Sequence, residues 1–164
     1  MAGSTPIITC GDHKPDAIGV HAGMKSEYEV IYAAFSLPET FDELPQILAG
    51  TPPAALTLHT QVASNDFSRH PVAIIVGGGY DDEAYGELRQ KCIAAVGGDK
   101  KKLGAAFFRA DNNLTDRLVK EGKGPEKRTK DYPAAITKRL KNKLEEVGVV
   151  SGLKEEDVGE LFWY

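Results

Sequence analysis

The sequence predicts an α/β protein: a three-layer sandwich built on a mostly parallel sheet of about five strands, flavodoxin-like or half-Rossmann in plan. Three observations predict it. Short apolar runs rich in branched and aromatic residues alternate with segments of helical periodicity. The clearest run, Pro71–Val76 (PVAIIV), is apolar without interruption, as a strand covered on both faces must be. The chain has 164 residues, one domain's worth, and 41% of them are hydrophobic, enough for a proper core.

The elements follow in order. Met1–Pro6 is expected to be a disordered N-terminus, and residues 7–150 to form the single α/β domain. Pro6–Cys10 is a first strand, stopped by Gly11-Asp12-His13. From Pro15 to Lys25, Ala17, Val20, His21 and Met24 recur at helical spacing, although Gly19 and Gly23 each weaken such a helix by about 1 kcal/mol relative to Ala. Tyr28–Phe35 is a second strand. Ser36 reads as a cap for a helix carrying Phe41, Leu44, Ile47 and Leu48, which Pro45 should shorten or kink. Ala55–Leu58 is counted as a third strand.

After Pro71–Val76 comes Gly77-Gly78-Gly79, then Asp81 and Asp82 opening a helix with Tyr85, Leu88, Cys92 and Val96 inward. Leu103–Phe108 reads as another strand. A short helix spans Leu114–Lys120, and Glu121–Asp131 is a mobile polar loop. Asp131 then caps a last helix whose inner face is Ile136, Leu140, Leu144 and Val147. Residues 151–164 are expected to be a C-terminal tail. Its Leu161-Phe162-Trp163-Tyr164 is too apolar to stay exposed, so it should pack on the domain or on a partner subunit, which favours a homodimer.

Charge excludes several classes. Lys and Arg number 20 against 24 Asp and Glu, a net of −4. Between Lys120 and Lys143 nine basic residues face three acidic ones, but the stretch lacks interleaved aromatics beyond Tyr132, so nucleic acid is an improbable partner. No apolar run reaches the roughly 20 residues of a membrane helix. No N-terminal stretch reads as a secretion signal, so a cytoplasmic location is expected. Cys10 and Cys92 do not make a disulfide framework, and the four histidines have no metal-ligand spacing, so no metal site is expected.

In open parallel sheets, ligands bind beyond the carboxyl ends of the strands, where loops converge and helix N-termini present free N–H groups. That rule selects the candidates. Asp12 and His13 follow the first strand, and a histidine beside a carboxylate is suited to proton transfer near neutral pH. His59 follows the third strand. Gly77, Gly78, Gly79 and Tyr80 follow the fourth. Arg109, Asp111 and Asn112 follow the fifth, where arginine could anchor an anionic group and Asp111 act as a base or orient a hydroxyl. Cys10 as a nucleophile is a minor alternative to a buried thiol. His21 is expected in a packed core or interface, and His70 in a loop.

Two classes of function emerge, with a third behind them. The first is a small-molecule enzyme doing acid–base chemistry (hydration, isomerisation or hydrolysis), with Asp12, His13 and Asp111 catalytic and Arg109, Asn112, Gly77–Gly79, Tyr80 and His59 binding substrate. No cofactor is favoured for it. The second is a nucleotide- or dinucleotide-binding domain taking NAD(P) or FMN. The glycine triplet is neither G-x-G-x-x-G nor a P-loop, and the carboxylates of Asp81–Glu83 would repel a pyrophosphate. The third is a non-catalytic interaction module using the basic helix or the aromatic C-terminus.

Overall fold

A computed structural model of the chain describes residues 3–53 and 62–164. Its elements run β1 (Thr5–Cys10), α1 (Lys14–Met24), β2 (Tyr28–Ala34), α2 (Leu37–Leu48), β3 (Ala73–Val76), α3 (Asp82–Ala95), β4 (Ala106–Arg109), α4 (Asn112–Lys120), α5 (Tyr132–Val147) and β5 (Leu161–Trp163). The five strands form one sheet in the order β2-β1-β3-β4-β5, and every neighbouring pair is parallel. The predicted α/β sandwich is therefore present, with the strand order of the flavodoxin-like plan.

Alternation along the strands divides the core in two. Ile7, Ala73, Ile75, Ala106 and Phe108 face one layer, which holds α1 and α5 through Met24, Ile136, Leu140 and Leu144. Ile8, Cys10, Ile74, Val76 and Phe107 face the other, which holds α2 and α3 through Leu44, Ile47, Tyr85, Leu88 and Cys92. Helix α1 packs on α5, and α2 on α3.

This layering makes the last crossover unusual. The step from β1 to β2 runs toward one edge with α1 on its face. The steps β2 to β3 and β3 to β4 run the other way with their helices on the opposite face, so all three have the same hand. The step from β4 to β5 also runs the second way, but α5 lies on the α1 face. Its hand is opposite to the other three, a rare exception to the uniform handedness of parallel connections. The consequence is local: the N-terminus of α5 arrives beside the N-terminus of α1, at the carboxyl rim of the sheet.

Close approach of these two helices rests on Gly19 and Gly23. A Cβ on Gly19 would fall 2.5 Å from Pro133 Cβ, and one on Gly23 would fall 2.8 Å from Thr137 Cγ2. What reads in the sequence as a weak helix is a smooth seam between two helices.

Several boundaries differ from expectation. Thr5 and Pro6 belong to β1 and are not a disordered end. Helix α2 continues through Pro45, and Ser36 gives its hydroxyl to Glu39 at 2.7 Å, not to a backbone N–H. Leu103 closes a 3-10 turn, and Gly104, at φ 66°, separates it from β4. Asp131 makes no side-chain cap to α5. The polar segment before it is locally tied: Thr129 Oγ1 donates to Glu126 O at 2.6 Å, and Lys127 lies 3.7 Å from Asp116. Ala55–Leu58 and His59 lie outside the described residues.

The sheet's other edge is β5, from the segment read as a tail. It pairs with β4, and Tyr164 is buried. The apolar residues that suggested a partner subunit are thus engaged by the chain's own sheet, with Trp163 left 45% exposed. Among the described residues no helix is long and apolar enough to cross a membrane.

Candidate functional site

The carboxyl rim holds a pocket between the N-terminal turns of α1 and α5. It encloses about 520 Å³, its open mouth included. Gly11, Asp12 and His13 from the β1–α1 loop and Asp16 from the first turn of α1 form its polar side. Thr9 and Ile75 of the sheet, Ala17 and Val20 of α1, Ala110, Ile136 of α5, Tyr132 and Tyr164 supply the remaining wall, with Gly77 and Gly78 closing it.

His13 occupies the N-cap position of α1 in extended backbone, and Asp16 follows three residues later. This spacing brings His13 Nδ1 to 3.2 Å from Asp16 Oδ2, within ion-pair range though not aligned for a hydrogen bond. Nε2 is the His13 ring nitrogen that does not face Asp16. Asp12 lies on the other side of the same loop. Its carboxylate rests against Gly79 so closely that a Cβ there would fall 2.0 Å from Asp12 Cγ. Arg128, from the segment before α5, places Nη2 3.3 Å from Asp12 Oδ2.

The glycine triplet is thus a packing surface for polar side chains. Gly78 plays the same part for Asn112, whose Nδ2 donates to Gly78 O at 2.9 Å. Asn112 braces the pocket's edge from behind.

Arg109 is not brought to the pocket. It ends β4 on the α2–α3 face, across the sheet from His13. It is 6% exposed, and its guanidinium lies between the rings of Tyr85 and Trp163, 4.4 and 4.6 Å from their centroids. Nη2 donates to Tyr80 O at 3.0 Å and Nη1 to Asp82 Oδ1 at 2.8 Å. The shared hollow expected for His13 and Arg109 does not form. Residue parity explains this, because alternate residues of a strand face opposite layers.

Asp111 caps α4, accepting from Leu114 N at 3.0 Å, and its backbone N–H donates to Tyr164 O at 2.7 Å. Tyr80 is buried in the α2–α3 layer with its hydroxyl 2.7 Å from Thr40 Oγ1. Neither lines the pocket. Cys10 does, but the residue packs with the α2–α3 core, and burial, with Cys92 adding to it, pushes the thiol far above its ordinary range. It stays protonated and is no ready nucleophile. His70 ties a loop to the 3-10 turn, with Nε2 2.6 Å from Leu103 O.

Sequence reasoning missed Asp16, Thr9, Tyr132 and Tyr164 as pocket residues. Asp16 carried a signal, an acid one helical turn after a rim histidine. Thr9 also carried one, a hydroxyl inside an apolar strand. Tyr132 and Tyr164 carried none, since the reversed last crossover delivers them. Burial raises the phenol pKa of both above the ordinary value, so both hold their protons at neutral pH. Among the described residues no three His, Cys, Asp or Glu side chains gather as a metal ion would require.

Strand order and rim pocket together define a five-stranded parallel α/β sandwich with a cleft at the carboxyl edge. No protein-family model matches the chain, and no solved structure matches it. It is similar to Kojic acid related protein 6 of Aspergillus oryzae, at 29% identity over 153 residues, 93% of this chain and 84% of that protein. That name states no reaction.

Proposed function

We propose that this protein is an enzyme acting on a small molecule by proton transfer in the rim pocket. His13 is the group that moves the proton, Asp16 orients it, and Asp12 stands at the mouth to steer a polar substituent. The observation that carries this reading is the His13–Asp16 pair, 3.2 Å apart, on the edge of a pocket whose inner wall is largely apolar. A histidine so placed can take a proton at Nε2 and return it, which suits isomerisation, hydration or hydrolysis.

Charge favours this over nucleotide binding. Two carboxylates, Asp12 and Asp16, line the pocket, and no lysine or arginine is among its described lining residues. Arg128 offsets Asp12 at 3.3 Å and Arg109 offsets Asp82 at 2.8 Å, but a diphosphate would still meet the carboxylates of Asp16 at the pocket and of Asp81 and Glu83 at the start of α3. The relative's name mentions kojic acid, an uncharged hydroxylated ring compound, which makes it a reasonable member of a test panel.

The test is a thermal-shift and NMR panel: neutral ring compounds including kojic acid on one side, NAD(P), FMN and ATP on the other. A neutral ligand at 100 times its Kd should stabilise the protein by about 2.7 kcal/mol. Any compound that stabilises is then incubated with the protein and followed by NMR for conversion, which His13→Gln should abolish. Stabilisation by nucleotides alone, or turnover unchanged in His13→Gln, would overturn the reading.

A further inference from the structure

Asp12 is seated at the pocket mouth by two features that folding alone does not call for. The first is Gly79. None of the three glycines of its turn has a positive φ, so an ordinary residue could adopt the backbone there. What Gly79 supplies is room, since a Cβ on it would fall 2.1 Å from Asp12 Oδ2 and 2.3 Å from Oδ1. The second is Arg128. It holds φ at 62°, in the left-handed region that favours glycine, and from there reaches Asp12 Oδ2 with Nη2 at 3.3 Å. The arginine side chain is 64% exposed, and an ion pair so open to water stabilises little. Strain that stability does not account for points to a functional position.

The pair is accessible, and each end has one kind of chemistry. The Asp12 side chain is 29% exposed and lines the pocket. No described residue donates to its Oδ1, and Nε and Nη1 of Arg128 have no partner among the described residues. A carboxylate only accepts hydrogen bonds and a guanidinium only donates them. A group that meets both must carry a donor beside an acceptor. Hydroxyls on neighbouring carbons do so, and so does a carboxamide. A lone ether oxygen or two hydroxyls on opposite sides of a ring can serve one end only. The two charges offset each other, so the pair singles out neither an anion nor a cation, and the apolar wall behind it suits a carbon skeleton.

We infer that Asp12 and Arg128 together recognise an uncharged compound that presents a hydrogen-bond donor and an acceptor side by side. Arg128, outside the pocket lining, is thereby a specificity-determining residue. The inference rests on the rim pocket being the functional site, as proposed above, and adds the substrate class.

The experiment is an NMR titration of wild type, Asp12→Asn, Arg128→Gly and the double variant. The probes are cis-1,2-cyclohexanediol and cyclohexanecarboxamide, with trans-1,4-cyclohexanediol as the ring with separated hydroxyls and cis-1,2-dimethoxycyclohexane as the ring with acceptors alone. Wild type should bind the diol or the carboxamide three- to tenfold more tightly than either control, the worth of about one hydrogen bond. Shifts should centre on Gly11–Ala17, Gly77, Gly78 and Arg128, and whichever probe binds tells which source supplies the donor and acceptor. Asp12→Asn and Arg128→Gly should each abolish the preference, and the double variant should lose no more than either, because the pair acts as a unit. Glycine suits φ 62°, so Arg128→Gly should melt no lower than wild type; a melting temperature well below it would make the pair structural and overturn the inference. Equal affinity for all four probes at the pocket, or a preference that survives in Arg128→Gly, overturns the inference and leaves the pocket reading standing. Shifts far from His13 and Asp16 with every probe, or binding of none, overturn both.

Discussion

Gly19 of α1 and Pro133 of α5 touch backbone to ring, with no room between them for a methyl group. Two helices that follow different strands are thereby pressed together at the sheet's rim, and the pocket lies just beyond their contact.

Filling that seam should cost stability even though alanine is the better helix former. Gly19→Ala gains about 1 kcal/mol in helix propensity and loses about 1–3 kcal/mol to overpacking. The net effect expected is destabilisation, with the larger loss in Gly19→Ala/Gly23→Ala. Urea unfolding measures it. A more stable double variant would show that the helices do not approach this closely.

Arg109 should act on stability and not on the pocket. Arg109→Ala removes a guanidinium held between Tyr85 and Trp163 and strips Tyr80 O of its donor. A loss of about 2–3 kcal/mol is expected, with ligand affinity at the pocket unchanged. Arg109→Lys should recover only part, because lysine cannot supply the planar stack. Calorimetry and ligand titration on the same samples separate the two effects.

Removal of residues 161–164 should unfold the domain and not dissociate a dimer. The deletion takes away the edge strand, the buried Tyr164 ring, and the oxygen to which Arg139 Nη2 donates at 2.8 Å. Losing one buried aromatic alone costs about 3–5 kcal/mol. Circular dichroism and light scattering together distinguish unfolding from a folded monomer.

His21 should make the protein less stable in mild acid. Its Nδ1 is buried without a partner, and burial, with Lys25 adding to it, lowers its pKa below the ordinary 6.5. In the window from 6.5 down to the folded-state value the unfolded chain binds more protons, so stability rises with pH there. Its contribution is fully present above pH 6.5 and is lost as pH falls through the folded pKa. His21→Gln should flatten the difference in urea midpoint between pH 7.5 and 5.5, and an unchanged slope would assign the dependence to other groups.

The sequence by itself determined the α/β class, the parallel sheet and the rim on which His13, Asp12 and the glycine turn stand. These follow from local pattern: continuous apolar runs mark covered strands, and loops leaving parallel strands converge on one edge. The His13–Asp16 pair was also within reach, being a matter of one helical turn. Tertiary structure alone decided that Arg109 faces the opposite layer, that Leu161–Trp163 closes the sheet, and that Tyr132 and Tyr164 reach the pocket. Each depends on which strand lies beside which and on which face a helix returns. Those choices are made by contacts between residues far apart in the chain, and no local spacing encodes them.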